Sequence, residues 1–248
     1  MAEELKKALI IFARRPAPGR VKTRLSPPLS PEEAARFYGC MLLDTLAKVG
    51  HLTGMAKFLC HGPDPDAPAF FARTAPGMTI RPQRGNDLGE RMAAAFGEIF
   101  AAGYGAAAII GSDSPDLPLS RIEEAFRLLA RPGVDVVFGP TMDGGYYLVA
   151  MKKLHPALFR DVPWSSCTVL ETSMAHAAAA GIEAALLPPW HDIDLPEDLA
   201  RPELRGTDNG APLTREFIEL RLAAPGVANP PGTKPSPVSA PIPSTKKP

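Results

Sequence analysis

The sequence has no excess of either charge, since 27 lysine and arginine residues balance 27 aspartate and glutamate residues among its 248. Proteins that bind nucleic acid usually carry a basic excess, so the total disfavours that class, although a local basic patch remains compatible with it. No apolar run approaches the roughly 20 residues of a membrane-spanning helix. The apolar run behind the charged N-terminus is also too short for a signal peptide core. We therefore expect no nucleic-acid partner and no membrane partner.

Cysteine is scarce as well. Cys40, Cys60 and Cys167 are odd in number and scattered, without the spacing of a disulfide framework or of a metal site. This usage predicts a reduced, cytoplasmic, soluble protein.

Two common catalytic motifs are missing. Ser112 and Ser114 are not flanked by the glycines of the Gly-x-Ser-x-Gly motif of serine hydrolases. Val21 replaces the glycine that must precede the lysine of a P-loop. These absences disfavour a serine hydrolase and a P-loop nucleotide site.

Strand-like and helix-like segments alternate from residue 8 to about residue 200, which predicts repeated βα units on a mostly parallel sheet. Strands are predicted near residues 8–13, 56–60, 78–81, 106–111, 135–139, 146–151 and 183–187. Helices are predicted from residue 30 toward 49, from 88 to 102, from 120 to about 130 and from 168 to about 180. Their starts are marked by the capping residues Ser30, Asp87 or Asn86, Ser120 and Thr168.

The end of the chain has a different composition. Eight of the 24 residues from Pro225 onward are proline, and such a segment cannot bury enough apolar surface to offset its chain entropy. We therefore predict one domain at 1–224 and a Pro-rich disordered tail at 225–248. A Pro-rich ligand for a partner domain is the alternative interpretation of this tail.

A cationic loop follows the first predicted strand. Between residues 14 and 24 there are five cations and no carboxylate: Arg14, Arg15, Arg20, Lys22 and Arg24. Cations this close repel one another unless water screens them or a multiply charged anion lies among them. Open α/β sheets bind ligands at the carboxyl ends of their strands, where this loop begins. The loop therefore predicts a polyphosphate site.

Two acidic segments could hold a divalent cation at the same edge. Asp113 and Asp116 follow an apolar run, and Mg²⁺ typically takes one or two carboxylates together with phosphate oxygens. The alternative is that both only cap the turn before the next prolines. Asp194 is either a second metal ligand opposite Asp113 or the cap of the helix that follows it.

Two glycine-containing segments could contact the organic parts of a substrate. In segment 83–92, glycines would let a base or sugar approach the backbone, and a helix N-terminus favours an anion. In segment 139–147, the glycine pair could support an acceptor substrate, with Asp143 and Tyr146 as polar contacts. The alternative for the first segment is an ordinary loop, and for the second a β-bulge or a tight turn. Trp164 and Ser165 could line the acceptor pocket or simply pack, and His191 is a weaker candidate for a base.

Five motifs occur in a characteristic order between residues 8 and 200: Pro-x-Pro-Gly-Arg-Val-Lys-Thr-Arg-Leu, Gly-Asn-Asp-Leu-Gly-Glu-Arg-Met, Gly-Ser-Asp-Ser-Pro-Asp-Leu-Pro, Gly-Pro-x-x-Asp-Gly-Gly-Tyr and Asp-Ile-Asp-x-Pro-Glu-Asp-Leu. Together they resemble the radical-SAM/selenodomain-associated transferases of the nucleotide-diphospho-sugar transferase superfamily. The resemblance implies an α/β fold, a GT-A-like Rossmann α/β/α sandwich whose mostly parallel central sheet contains an antiparallel strand. Family members are labelled glycosyltransferases, some tied to arsenosugar biosynthesis. Sister branches transfer nucleotides, as in the molybdenum-cofactor and phospholactate guanylyltransferase types.

The resemblance also implies roles for individual residues. Lys22 and Asp113 are the expected catalytic residues, and Asp113 and Asp194 the expected ligands of Mg²⁺ or Mn²⁺. The expected nucleotide-binding residues are Ala13, Arg14, Gly19, Arg20, Lys22, Arg24, Gln83, Gly85, Leu88, Gly89 and Arg91. From segments 139–147 and 164–165 themselves, apart from the resemblance, the expected acceptor residues are Asp143, Gly144, Gly145, Tyr146, Trp164 and Ser165.

The sequence departs from the family pattern at two places. Prolines replace the Gly-x-Gly-x-Arg loop with which the sister nucleotidyltransferases begin. Leu195 occupies the position before a proline that often carries threonine. Because leucine cannot cap a helix, Asp194 could be needed as the cap instead of as a metal ligand.

Three functions follow from these patterns. The leading prediction is metal-dependent glycosyl transfer from a nucleotide-diphospho-sugar to a small-molecule acceptor. The alternative is nucleotidyl transfer from a nucleoside triphosphate with release of pyrophosphate, which the number of cations in the loop favours. A nucleotide-binding protein without turnover is the third, and it gains weight if Asp113 and Asp194 lie too far apart to share an ion.

Overall fold

The computed structural model describes residues 5–223, so the predicted tail at 225–248 lies outside the described residues. Its strands are β1 (Lys7–Ala13), β2 (Met55–His61), β3 (Thr79–Pro82), β4 (Ala106–Ile110), β5 (Val136–Pro140), β6 (Tyr146–Met151) and β7 (Ala184–Leu186). Its α-helices are α1 (Pro31–Gly50), α2 (Ala67–Thr74), α3 (Leu88–Ala101), α4 (Leu119–Leu129), α5 (Val169–Ala179) and α6 (Pro212–Ala223). Short 3₁₀ turns lie at Thr23–Leu25, Pro156–Phe159, Pro196–Ala200 and Pro202–Arg205.

The seven strands form one sheet in the order β3-β2-β1-β4-β6-β5-β7. Strand β6 runs antiparallel to its neighbours β4 and β5, whereas the other neighbouring pairs are parallel. The predicted mostly parallel α/β sheet with an antiparallel strand is therefore confirmed. The carboxyl ends of β1, β4, β5 and β7 all lie at one edge of this sheet.

Helices cover both faces of the sheet. Leu9 and Ile11 of β1 pack in a core cluster with side chains of α1 and α4, whereas Ile10 packs in a second cluster with side chains of α3. Both faces of β1 and β4 are thus buried, which explains why these strands are apolar at every position after Lys7 instead of alternating. Helix α6 adds a further cluster on α1, in which Phe37 contacts Phe217.

Two predicted helix caps are present. At the start of α1, Ser30 accepts a hydrogen bond from the Glu33 N–H, and the Glu33 carboxylate accepts one from the Ser30 N–H. At the start of α3, Asp87 accepts from the Glu90 N–H. Caps of this kind typically stabilise a helix by about 1 kcal/mol.

Of the other two predicted caps, Ser120 is wrong and Thr168 is correct in position only. Helix α4 begins at Leu119 with Pro118 at the cap position, so Ser120 lies inside the first turn. The cap at Pro118, whose φ is fixed by its ring, lies two residues earlier than the Ser-x-x-Glu pattern indicated. Thr168 does occupy the cap position of α5, but its side chain makes no capping hydrogen bond.

Helices α2 and α6 were not predicted. Asp44 in α1 anchors α6, since its carboxylate accepts hydrogen bonds from the backbone N–H groups of Leu213 and Thr214 and from the Thr214 hydroxyl.

In the part of the chain that the structure describes, none of the helices is long and apolar enough to cross a membrane.

Candidate active site

The loop after β1 buries one lysine at the edge of the sheet where the carboxyl ends of the parallel strands lie. Lys22 has a left-handed backbone conformation, with φ 47° and ψ 40°, which is uncommon for a residue other than glycine. Its side chain is only 4% exposed. The flanking residues Val21 and Leu25 are buried and fix the loop against the core.

The Lys22 ammonium forms ion pairs with two carboxylates from distant parts of the chain. Its Nζ lies 2.5 Å from Oδ1 of Asp113, which follows β4, and 2.6 Å from Oδ1 of Asp194, which follows β7. A backbone hydrogen bond of 2.9 Å from the Ile193 N–H to the Asp113 carbonyl joins the two acidic segments. The structure thus brings together the predicted catalytic and metal-binding residues.

Asp194 does not act as the cap of the following 3₁₀ turn. That task falls to Asp198, whose Oδ2 accepts hydrogen bonds from the backbone N–H groups of Asp194 and Leu195 at 2.8 and 2.7 Å. The Asp194 carboxylate is therefore available for Lys22 or for a ligand, and the absence of threonine at position 195 does not divert it.

Burial and charge act in opposite directions on Lys22. Burial alone would lower its pKa, but the attraction and hydrogen bonds of Asp113 and Asp194 outweigh it and raise the pKa above its ordinary value. Lys22 is therefore a fixed cation at neutral pH. The Asp113 and Asp194 side chains are 49% and 41% exposed, so the pair still faces solvent.

Asp192 is part of the same acidic cluster, although the sequence analysis missed its role. Burial, followed by the repulsion of Asp143 and Asp194, raises the pKa of its carboxyl group to about 6. The alternation of Asp192 and Asp194 around buried Ile193 is the sequence signal that could have identified it.

A buried tyrosine, also missed, links three elements of the site. The Tyr38 hydroxyl of α1 accepts a hydrogen bond from the Arg14 N–H at 2.9 Å and lies 2.8 Å from the hydroxyl of Ser112, next to Asp113. Burial raises the pKa of Tyr38, so it stays a neutral phenol. Its position among the apolar residues of α1 concealed this role, because a buried tyrosine needs a hydrogen-bond partner that the helix pattern does not reveal.

The other cations of the loop divide into two groups. Arg15 is paired with Asp64 at 2.9 Å and with Asp66 at 3.3 Å, both in the loop between β2 and α2. Arg14, Arg20 and Arg24 are exposed, and they form no direct ion pair with a carboxylate of residues 5–223. Among the described residues, carboxylates thus pair directly with two of the five cations, Arg15 and Lys22.

The donor set fits a divalent cation that substrate helps to bind. Both Oδ1 atoms contact one nitrogen, so they lie within about 5 Å of each other, close enough to share an ion. Within residues 5–223, no group of three or more His, Cys, Asp or Glu side chains forms a complete metal site. Phosphate oxygens or water would therefore have to complete the coordination, as is usual for Mg²⁺.

The predicted nucleoside-binding loop is held by its own hydrogen bonds. The Gln83 amide donates to the Cys60 carbonyl, and Arg91 Nε donates to the Gly85 carbonyl. Gly85 has a positive φ of 134°, and a Cβ there would lie 2.6 Å from the Glu90 side chain. Leu88 is 42% exposed at the start of α3. The loop is thus an ordered, mostly exposed surface.

Two of the glycines predicted to bind nucleotide differ in their surroundings. Gly89 is buried, and a Cβ there would lie 2.4 Å from the Phe159 carbonyl and 2.7 Å from the Trp164 ring. Its small size therefore serves the packing of α3 onto segment 159–164. Gly19 is exposed with φ 69° and open space around it. Ala13 ends β1, and its carbonyl accepts from the Gly62 N–H.

The predicted acceptor residues are used largely within their own turn. The Asp143 carboxylate accepts from the Thr141 hydroxyl at 2.5 Å and from the Gly145 N–H at 3.2 Å. Gly144 has φ 92°, and a Cβ there would overlap the Cys167 carbonyl. The Asp143 side chain remains near the acidic cluster, since it contributes to the raised pKa of Asp192.

The aromatic acceptor residues lie farther inside. The Tyr146 hydroxyl is buried near Ser173, and in the described part of the chain neither hydroxyl forms a well-aligned hydrogen bond. The Tyr146 and Trp164 rings meet edge to face, with centroids 6.4 Å apart. Ser165 is exposed with φ 69°. The structure therefore places Trp164 and Ser165 beside Tyr146, but it directs the tyrosine hydroxyl into the interior.

Two further polar residues named in the sequence analysis differ in exposure. Asp116 is buried and accepts a hydrogen bond from the Trp190 indole N–H at 3.4 Å, so it helps to hold the segment after β7 in place. His191 is exposed.

A separate groove of about 450 Å³, lined by Asp135 and His155 among others, lies at the opposite edge of the sheet, where β5 begins.

Solved structures define the class of fold. The chain is similar to a proposed nucleotide-diphospho-sugar transferase from Desulfovibrio desulfuricans, with 29% identity and a TM-score of 0.78 over 86% of this chain and 97% of that one. A cytidylyltransferase from Leptospira borgpetersenii matches with 12% identity and a TM-score of 0.54 over 89% and 96% of the two chains. The CTP complex of CMP-2-keto-3-deoxy-manno-octonic acid synthetase matches with 12% identity and a TM-score of 0.52 over 79% and 95%. The chain therefore has the fold shared by nucleotide-diphospho-sugar transferases and cytidylyltransferases.

A family profile also matches part of the chain. The profile of a family described as an uncharacterized protein conserved in bacteria (DUF2064) matches residues 45–166. This range includes the Asp113 segment and the turn at 141–145. No match was found among curated proteins.

Proposed function

We propose that this chain is a metal-dependent nucleotide-diphospho-sugar transferase that transfers a glycosyl group to a small-molecule acceptor. The observation that carries the proposal is the contact of the Lys22 ammonium with the Asp113 and Asp194 carboxylates at the carboxyl edge of the sheet. This is the edge at which open α/β sheets bind ligands. The similarity to the Desulfovibrio protein supports the choice of a nucleotide-diphospho-sugar as donor.

The residues would divide the work as follows. Asp113 and Asp194 would hold Mg²⁺ or Mn²⁺, which when bound supplies positive charge against the diphosphate. Arg14, Arg20 and Arg24 would bind the phosphate oxygens, since carboxylates of the described chain do not neutralise them directly. Catalysis would then consist mainly of positioning and electrostatic stabilisation of the leaving diphosphate.

The remaining predicted residues would bind the organic groups. The exposed loop around Gly85, Leu88 and Arg91 would contact the nucleoside, and Ser165 with the face of the 141–145 turn would border the acceptor. Membership of the radical-SAM/selenodomain-associated transferases and a location in the cytoplasm both stay predictions.

Nucleotidyl transfer from a nucleoside triphosphate is the second candidate. It is favoured by three loop arginines that have no direct carboxylate partner within residues 5–223, because a triphosphate requires more neutralisation than a diphosphate does. The third hypothesis, binding without turnover, gains weight only if Asp113 and Asp194 are far apart. Their contact with one shared ammonium removes that support.

A ligand screen by thermal denaturation tests the proposal. A ligand that binds the native state raises its melting temperature according to concentration and affinity. We expect stabilisation by UDP- or GDP-sugars in Mg²⁺ or Mn²⁺ that EDTA abolishes. Stabilisation by GTP or CTP, with pyrophosphate release, would instead select nucleotidyl transfer. If no nucleotide stabilises the protein with either metal, both enzyme functions lose their basis.

A further inference from the structure

Lys22 contacts the same carboxylate oxygens that a divalent cation would use. Its Nζ is within hydrogen-bond distance of Oδ1 of both Asp113 and Asp194, and the side chain is only 4% exposed. A divalent cation bound to these oxygens would lie next to the ammonium, and like charges at that distance repel strongly in a partly buried site. The ammonium and the metal therefore compete for one position.

The backbone supports a specific role for this lysine. Lys22 adopts a left-handed conformation at φ 47°, the only positive φ in loop residues 14–24 apart from Gly19. Strained backbone at a non-glycine residue persists where the surrounding structure enforces it, and it often marks a functional site. Here it turns the side chain inward, whereas neighbouring Arg20 and Arg24 are exposed.

We propose that the Lys22 ammonium is an internal counter-ion of the Asp113–Asp194 pair. A divalent cation must displace this ammonium to bind the two carboxylates, and the displaced ammonium then pairs with the phosphates of the nucleotide. Metal and nucleotide would consequently bind cooperatively, because the displaced ammonium finds a new anionic partner only when phosphates are present. This inference rests on the proposed function for the nature of the ligand, but the competition with metal does not require a nucleotide. It makes Lys22 the residue that links metal affinity to nucleotide affinity.

The first test measures Mn²⁺ binding without nucleotide, by isothermal titration calorimetry and by the electron paramagnetic resonance signal of free Mn²⁺. Lys22→Met keeps most of the apolar stem and removes the charge, and we expect it to bind Mn²⁺ about 10-fold or more tightly than the wild type. Lys22→Gln should behave in the same way, and Lys22→Arg should stay close to the wild type. Arg20→Met removes an exposed cation of the same loop, so it should change Mn²⁺ affinity less than about 3-fold. Urea denaturation of each variant verifies that it is folded.

The second test measures how much the nucleotide identified in the ligand screen strengthens Mn²⁺ binding. We expect this factor to be smaller in Lys22→Met than in the wild type, although the phosphate oxygens still contribute directly. Unchanged or weaker Mn²⁺ binding by folded Lys22→Met and Lys22→Gln would overturn the inference, even if the wild type binds nucleotide as proposed. Conversely, tighter Mn²⁺ binding by these variants supports it, even if no nucleotide binds and the proposed function fails.

Discussion

Two acidic segments at the carboxyl edge of the sheet use their carboxylates in different ways. Asp113 meets Lys22 and, through it, Asp194, which is 172 residues from Lys22 in the chain. Asp143 instead binds Thr141 and Gly145, each only two residues away. Both aspartates follow a strand, and both looked like ligand-binding candidates in the sequence. The two aspartates thus differ in how far away in the sequence their partners lie. Asp113 joins distant segments into a site, whereas Asp143 stabilises its own turn.

The largest expected effect comes from removing the charge of Asp113. Asp113→Asn should weaken metal-assisted nucleotide binding about 100-fold or more, because even outer partners of metal ligands contribute about 10- to 100-fold. The fold should persist, since this side chain is 49% exposed. Calorimetric titration with nucleotide and Mg²⁺ measures the effect.

Asp143→Asn is the matched control for that experiment. The amide oxygen can still accept from Thr141 and Gly145, so we expect the same titration to change less than about 3-fold. Equal losses in the two variants would erase the distinction between the two segments.

The next largest effect concerns the free energy of unfolding and the 141–145 turn. Gly144→Ala should destabilise the protein by about 3 kcal/mol, because the new Cβ would overlap the Cys167 carbonyl and φ is 92°. Gly181→Ala, at φ 64° with no atom within 4 Å of the new Cβ, should cost only about 1 kcal/mol. Urea denaturation gives both values, and similar losses would show that the overlap is relieved by movement of the Cys167 segment.

A pH dependence should distinguish Asp192, which lies in the segment after β7. Its pKa rises from the ordinary 3.8 to about 6, so the folded protein holds this proton more tightly than the unfolded chain does. The associated contribution to the free energy of unfolding is complete below about pH 4 and disappears as the pH rises to about 6. Asp192→Asn should therefore become progressively more stable than the wild type over this interval and keep that advantage at pH 7.5. Urea denaturation in EDTA at four pH values measures it, and a pH-independent difference would contradict the raised pKa.

The smallest effect is expected at Tyr146. Its hydroxyl is buried without a well-aligned hydrogen bond to any described residue, so Tyr146→Phe should leave stability unchanged or raise it by up to about 1 kcal/mol. The variant also tests the predicted acceptor contact, which the inward hydroxyl disfavours. Once a transfer assay exists, a rise of more than about 10-fold in the acceptor KM would restore that prediction.

Much of the fold could be predicted because its strongest signals are local. Strands β1 and β4 are apolar at nearly every position, and Ser30 and Asp87 cap their helices as the sequence indicates. Helix α2 was missed because it is only eight residues long. Helix α6 was missed because it follows an irregular segment and is fixed by Asp44, which is distant in sequence.

The candidate site could be predicted only in outline. The rule that parallel strands share a carboxyl edge brings the Lys22 loop and Asp113 to one side of the sheet. It could not establish that Lys22 would be buried, that Arg15 would be paired with Asp64, or that Asp198 would free Asp194 from capping. Each of these depends on a contact between segments whose register is set by tertiary packing.

The hydrogen bond from Ile193 to Asp113 has a consequence for how the protein is made. It fastens the loop after β4 to a segment that comes after β5, β6 and β7 in the chain, so the second carboxylate is synthesised only after these strands. A chain still emerging from the ribosome therefore holds Lys22 and Asp113 before Asp194 exists. Assembly of the two acids reports that synthesis of the sheet is finished.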